Sequence, residues 1–243
     1  METKWYSDFW NLLTQPFKGG IDQVVQYGTL KKGFLGTALL WAIPYILLGL
    51  FGALLFPLLP RNEFSAMGML LGAGVGFFFI LAYIASIIWS FVMVAVGSYV
   101  FNWVAVKMGG TDDVQSVMKV QWYLQGYEVL LCTCVYTIVF ILMAIFGGLF
   151  GSSTLSKLIS NLGSLVIFVL SVWVGLELMA RQTTLTKMQV FIAGIVTFVI
   201  FVIISLIFMA LFGGCAALVG RYFHYYKKSS FFDKYFFGKR GFL

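Results

Sequence analysis

Charge is scarce in this chain. Lys and Arg number 16 and Asp and Glu nine, together 10% of 243 residues. A soluble domain of this size carries about a quarter. So little charge leaves a water-facing surface largely uncovered, whereas a lipid-facing surface needs no such cover. The sequence is 61% hydrophobic, with a mean hydropathy of +0.96. Length alone would allow one or two soluble domains, but no stretch is polar enough to form one. The chain reads as one membrane domain with short tails.

Groups for chemistry are equally few. There is one histidine, His224, in a basic tail, and three cysteines, Cys132, Cys134 and Cys215, all in apolar runs. The Cys132/Cys134 pair has no neighbouring ligands, and metal sites gather several; packing is the expected role. No H-x-x-x-H, Walker lysine or paired aspartate in a span occurs. The glycine-rich run at 71–76 joins no strand to a helix, which argues against nucleotide binding. No cofactor, metal or catalytic residue is expected. Gly72 and Gly76, like Gly147 and Gly151, instead fit the small-xxx-small spacing of close helix packing. No secretory leader is expected, since the first long apolar run begins only at Phe34.

The formal net charge is +7. Its carriers sit in short loops and tails, where membrane orientation is written. Lipid headgroups, not nucleic acid, are therefore the expected contact.

Residues 1–33 form an amphipathic segment. Tyr6, Trp10, Leu13, Phe17, Ile21 and Val24 recur at spacings of three and four, one face of a helix. Ser7-Asp8 is a plausible start, and Pro16 with Gly19-Gly20 divides the segment in two. With Lys4, Lys18, Lys31 and Lys32 nearby, it is expected to lie in the membrane interface, held by Trp10, Leu13 and Phe17.

The first span is expected at 34–59, with Pro44 inside it. Residues 67–106 carry no charge and exceed one ordinary span. They read either as a leader before one span at 79–106 or as two spans meeting at a turn. The lack of polar turn residues favours one span. Gly109-Gly110 then breaks the helix, and Thr111 is placed to cap the next beside Asp112 and Asp113. Residues 114–127, with Gln115, Lys119, Gln121 and Gln125, read as an interfacial helix leading into a span at 129–150. A polar loop at 152–161, a span at 162–180, a second loop at 181–189, a span at 190–220 and a basic aromatic tail at 221–243 complete the chain.

Five spans with an inner N-terminus place eight Lys and Arg on each side; six spans place eleven inside and five outside. Charge thus favours six and the undivided 67–106 run five. Two acids lie closest to hydrocarbon. Glu177 has Arg181 one turn on and reads as a helix-end ion pair. Glu128 stands where the loop helix enters its span. Ionisable groups at such depths are often functional.

The order of these pieces resembles the Yip domain family, multi-span proteins named for interaction with Ypt/Rab GTPases. Three places carry the resemblance: Gln15-Pro16-Phe17 before the first span, Lys107-Met-Gly-Gly110 after a long second span, and Val174-Gly-Leu176 before the loop at 183–187. They cover most of residues 10–215. The family implies an all-α bundle of about five spans, a cytosolic N-terminus and no catalysis. The short opening is closest in style to prokaryotic members, implying the cytoplasmic membrane, or endoplasmic reticulum or Golgi for a eukaryotic chain. The domain organisation is then 1–33 amphipathic segment, 34–220 transmembrane domain and 221–243 tail. The expected function is a membrane scaffold recruiting a membrane or peripheral protein through the N-terminal helix and the loops at 107–127 and 181–189, with Gly109, Gly110, Gln121 and Gln125 at the contact. A second copy of the chain is a further candidate partner. The alternative is a small permease with Gln121, Glu128 and Glu177 lining a path.

Overall fold

The computed structural model describes residues 4–17, 19–55, 65–150 and 153–228. These form seven helices and no strand: α1 (Trp5–Thr14), α2 (Gly20–Tyr27), α3 (Leu30–Leu55), α4 (Ser65–Lys107), α5 (Val114–Phe150), α6 (Ser153–Thr183) and α7 (Lys187–Lys228). The all-α polytopic bundle read from composition is what the chain adopts. Among the described residues, four helices are long and apolar enough to cross a membrane: Phe77–Lys107, Val114–Phe146, Thr154–Thr183 and Lys187–Ile207. Helix α3, with 26 apolar-rich residues, covers most of the expected first span. The end of that span, Lys18, Arg61, Gly151 and tail residues 229–243 lie outside the described residues.

The chain divides into two units, Met1–Gly194 and Ile195–Leu243. The first holds α1 to α6 and the opening turns of α7. Its long helices leave large apolar side chains uncovered by protein, including Phe77, Phe78, Trp89, Phe140 and Phe168. Such a surface is stable only against hydrocarbon. In the second unit the described part is one apolar helix to Lys228, with Phe198, Leu206 and Ile207 uncovered.

Helix α4 runs 43 residues without a break. The uncharged 67–106 run is therefore not divided by a turn, as the missing turn residues imply, but the leader expected before a span at 79–106 is part of the same helix. Several boundaries differ from the sequence reading. The segment at 114–127 is not a separate helix, because Gln115 to Gln125 interrupt its polarity but not its helix propensity. At about 1.5 Å per residue, the resulting α5 extends roughly 55 Å, well beyond a hydrocarbon core of about 30 Å. Residues 153–161 of the expected polar loop are the first turns of α6, a stretch with no Gly or Pro to stop a helix. Residues 221–228 of the tail likewise continue α7.

Helices α1 and α2 form the expected broken pair. Gly19 has φ 129°, which a side chain would strain. Gly20 lets α2 meet the α1 backbone at Asn11, where a Cβ would collide. Helix α1 is seated on α3 and α5, and α2 on α6 and α5. Phe9, Leu12, Ile21 and Val24 are buried there. Ile21 and Val24 thus do not share the outward face of Trp10, as the simple periodic stripe implies, because the break at 15–19 resets the helical phase.

The Phe9 ring fills a niche that only glycines leave. A Cβ at either Gly36 or Gly126 would run into it. It stacks on Tyr123 with ring centroids 4.9 Å apart. Beside it, Thr37 Oγ1 donates to the Trp122 carbonyl at 2.6 Å, joining α3 to α5.

Candidate functional site

One end of the first unit gathers most of the polar side chains. It comprises α1, α2, the start of α3, the turn between α4 and α5, and the turn between α6 and α7. Three networks build it.

The first centres on Asp8, which is fully buried. Tyr123 donates its hydroxyl to Asp8 Oδ2 at 3.0 Å, and Gln23 Nε2 donates to Oδ1 at 2.8 Å. Asn11 Nδ2 in turn donates to Gln23 Oε1 at 2.6 Å. A buried carboxylate is tolerable when such donors replace water. Lys119 Nζ adds a bond to the Val25 carbonyl at 3.2 Å, placing a cation at the C-terminal turn of α2.

The second joins the two turns. Asn102 Nδ2 donates to Asp112 Oδ1 at 2.7 Å, and its Oδ1 accepts the Asp113 amide at 3.2 Å. The Thr111 amide donates to the Thr183 carbonyl at 3.1 Å. Thr111 is therefore not the cap of α5. Asp113 is: it immediately precedes Val114 and accepts the Ser116 amide at 3.0 Å and the Ser116 hydroxyl. Across the turn, Thr186 and Gln189 form a reciprocal capping box at the start of α7, with bonds of 2.9 and 3.3 Å. Gly109 takes φ 91°, open only to glycine without strain, and Gly110 is packed between Ala105, Leu185 and Thr183.

The Ser116 hydroxyl and amide hold the Asp113 carboxyl below its usual range. A depressed folded value means the cap stabilises above the ordinary carboxylate range and is lost as pH falls through that lower value. Amide protection over residues 114–117 is expected to be constant from neutral pH to about pH 4 and to fall below it. Asp113→Ala should lower that protection at neutral pH by about 1 kcal/mol and remove the pH step. Hydrogen exchange read by mass spectrometry on the reconstituted chain decides this; an unchanged step in the variant would show that another group titrates.

The third network ties α6, α7 and α2. Arg181 Nε donates to Glu177 Oε1 at 2.9 Å, the pair expected from the one-turn spacing. Lys187 also binds Glu177, and Arg181 reaches Asp22. Lys187 lies 4.7 Å from the centre of the Trp173 ring, which is 6.2 Å from that of Phe17.

Below this end, α3, α4 and α5 enclose a cleft of about 790 Å³. Gln125 and Glu128 stand in its α5 wall, and Trp41 and Pro44 in its α3 wall. Gln121, one turn above, instead accepts a hydroxyl hydrogen bond from Ser98 of α4 at 3.0 Å. The residues of a permease path are thus not brought together. Glu128 faces the cleft, Gln121 bridges two helices, and Glu177 is held by two cations on α6 and α7. Nor do the residues expected at a partner contact converge, since Gly109 and Gly110 lie at the turn and Gln125 in the cleft.

On the outer side of the seated pair, Trp10 is 61% and Phe17 67% exposed, with Tyr6 exposed and Leu13 half-buried beside them. Tyr123 and Trp41 are absent from the sequence reading, and Asp8 entered it only as part of a helix start at Ser7-Asp8, whereas α1 begins at Trp5. A lone acid within an aromatic stripe was the available signal for Asp8; nothing local marks Tyr123 as its partner 115 positions away.

Among the described residues, no three His, Cys, Asp or Glu side chains gather as a metal site would require. The bundle defines the class, a polytopic α-helical integral membrane protein. Compared with protein-family models, curated proteins and solved structures, the chain matches none.

Proposed function

We propose that this chain is a non-enzymatic membrane scaffold of Yip type, whose polar end recruits a membrane or peripheral protein at the bilayer surface. The observation that carries this reading is the seating of α1 and α2. The inner face of α1 is locked to α3 and α5 through Phe9 and Asp8, while Tyr6 and Trp10 stay exposed and Phe17, also exposed, rests beside Trp173 of α6. An exposed aromatic face held on the bundle, with Lys4 Nζ 5.8 Å from the centre of the Tyr6 ring, is suited to the headgroup region. The ion pairs around Glu177 have a structural role in this reading, not a conducting one.

The test is capture of partners from native membranes. Trp10→Ser with Phe17→Ser should lose most captured partner while leaving the bundle folded. Glu177→Gln should keep it and lose less than about 1 kcal/mol of stability, the range for exposed ion pairs. Glu128→Gln should also keep it. Abolition of a pH-dependent flux in proteoliposomes by either Gln variant, with capture unchanged, would replace the scaffold with the permease.

Five spans place the two ends of the chain on opposite sides. Single cysteines at positions 3 and 241, in a background lacking Cys132, Cys134 and Cys215, are expected to react from opposite faces of sealed vesicles. Reaction from the same face would support the six-span charge count.

A further inference from the structure

The cleft between α3, α4 and α5 is built unlike the rest of the polar end. Glu128 has no hydrogen bond or ion pair to the protein among the described residues, and no Lys or Arg lines the cavity. Glu177, the other acid near hydrocarbon, is held by two cations. Glu128 is exposed in this open cleft, and at membrane depth an ionised carboxylate there is costly without a counter-charge. Two further polar atoms in the walls are buried and unpartnered, Gln125 Oε1 and Trp41 Nε1. The Gln125 carbonyl stands on the same face of α5 as Glu128, one turn earlier at a spacing of three. Together they present adjacent acceptors that no protein donor among the described residues meets, and the Trp41 N–H is an unpartnered donor in the α3 wall. The remaining walls are rich in aromatic rings: Trp41 and Tyr45 of α3, Trp89 of α4 and Tyr136 of α5.

We propose that this cleft is a binding site for an organic ammonium ion carrying an apolar body. The carboxylate supplies the counter-charge, the Gln125 carbonyl accepts an N–H, and the rings supply apolar contact and cation–π attraction. A volume of about 790 Å³ falls within the usual size of small-molecule sites. A phospholipid headgroup is a poorer match, because its phosphate would meet Glu128 with no cation in the wall to receive it. A bare metal ion is a poorer match too, since Glu128 is the only acid in the lining among the described residues. Trp89, in the α4 wall of the cleft, is itself exposed, so the apolar body can enter from the lipid.

The site is separate from the recruiting end, and its test is independent of partner capture. The full chain, reconstituted in nanodiscs of phosphatidylcholine, is titrated with radiolabelled 4-phenylbutylamine. Saturable binding of one amine per chain is expected. Unlabelled 4-phenylbutyrate, similar in size but anionic, should not compete. Glu128→Gln should weaken binding by about tenfold or more, the equivalent of about 1.4 kcal/mol. Glu128→Asp should retain most of it, and Gln125→Leu should weaken it a few-fold. Equal competition by the carboxylate, absence of saturable binding, or a well-folded Glu128→Gln variant that binds like the parent would each overturn the proposal. Should Glu128→Gln fail to fold, the cation-against-anion contrast on the parent chain and the Gln125→Leu titration decide the same point.

Discussion

Gly126→Ala is expected to unseat the N-terminal helix pair. A Cβ at this position would overlap the Phe9 ring and come within 2.7 Å of Thr37 Oγ1. The ring is flanked by Gly36 and Tyr123, so it has no free direction in which to move. Overpacking costs about 1–3 kcal/mol. Expelling a buried phenylalanine costs about 1.5–3 kcal/mol more. Either would loosen the seat of α1, in which Phe9 is a main anchor, and of α2 packed against it. Amide exchange over residues 5–27 should rise by two orders of magnitude or more, in line with about 3 kcal/mol. Exchange in the membrane part of α5 and α6 should stay as in the parent. Gly126→Leu should act more strongly still. If α1 remains protected in both variants, the glycine niche does not hold it.

Asp8→Ala should loosen the same pair by an electrostatic route. It deletes the acceptor of two hydrogen bonds and leaves the Tyr123 hydroxyl and the Gln23 amide facing a cavity. Bonds to a charged group are worth about 1.5–3 kcal/mol, and an orphaned buried donor costs about 1–3 kcal/mol. A loss of about 3 kcal/mol in the seating of α1 and α2 follows. Asp8→Asn keeps one acceptor oxygen and should lose less. Tyr123→Phe removes one donor and should lose less again. In the double variant Asp8→Ala with Tyr123→Phe, the hydroxyl is no longer orphaned, so the losses should be less than additive. Simple additivity would show that the two residues do not act as a unit.

The membrane part of this fold is plain from composition and run length. Hydrocarbon imposes one solution on an uncharged stretch, a helix with its backbone bonds closed internally. That is why the run in α4 could be read as undivided by a turn. The break at Pro16 and Gly19 was equally legible, because both residues act on the backbone locally. The seat of α1 and α2 was not. Its parts, Phe9, Gly36, Gly126 and Tyr123, come from three helices and have no common spacing. The aromatic stripe from Tyr6 to Val24 looked like one face because periodicity ignores the phase shift at the break. In the same way Thr111 and Asp113 are both good caps by type, and only the bond from Thr111 to the Thr183 carbonyl frees α5 to start on Asp113. The cleft was half visible: Glu128 and Gln125 stood out as polar residues next to a span, but the rings opposite them belong to other helices.

The distance along the chain from Asp8 to Tyr123 has a consequence for biosynthesis. The carboxylate meets its donor only after 115 more residues have been made. At about 5–20 residues per second, that is a delay of roughly 6–23 s. Throughout it, Phe9, Leu12, Ile21 and Val24 have no α5 to rest on, while α3 and α4 are already entering the bilayer. A short helix with an apolar face and no partner settles at a lipid surface. The nascent N-terminus therefore waits at the membrane surface, and its inner face leaves the lipid for its seat when α5 arrives. The Asp8 carboxylate, which hydrocarbon would refuse, keeps that waiting state shallow and the later exchange reversible.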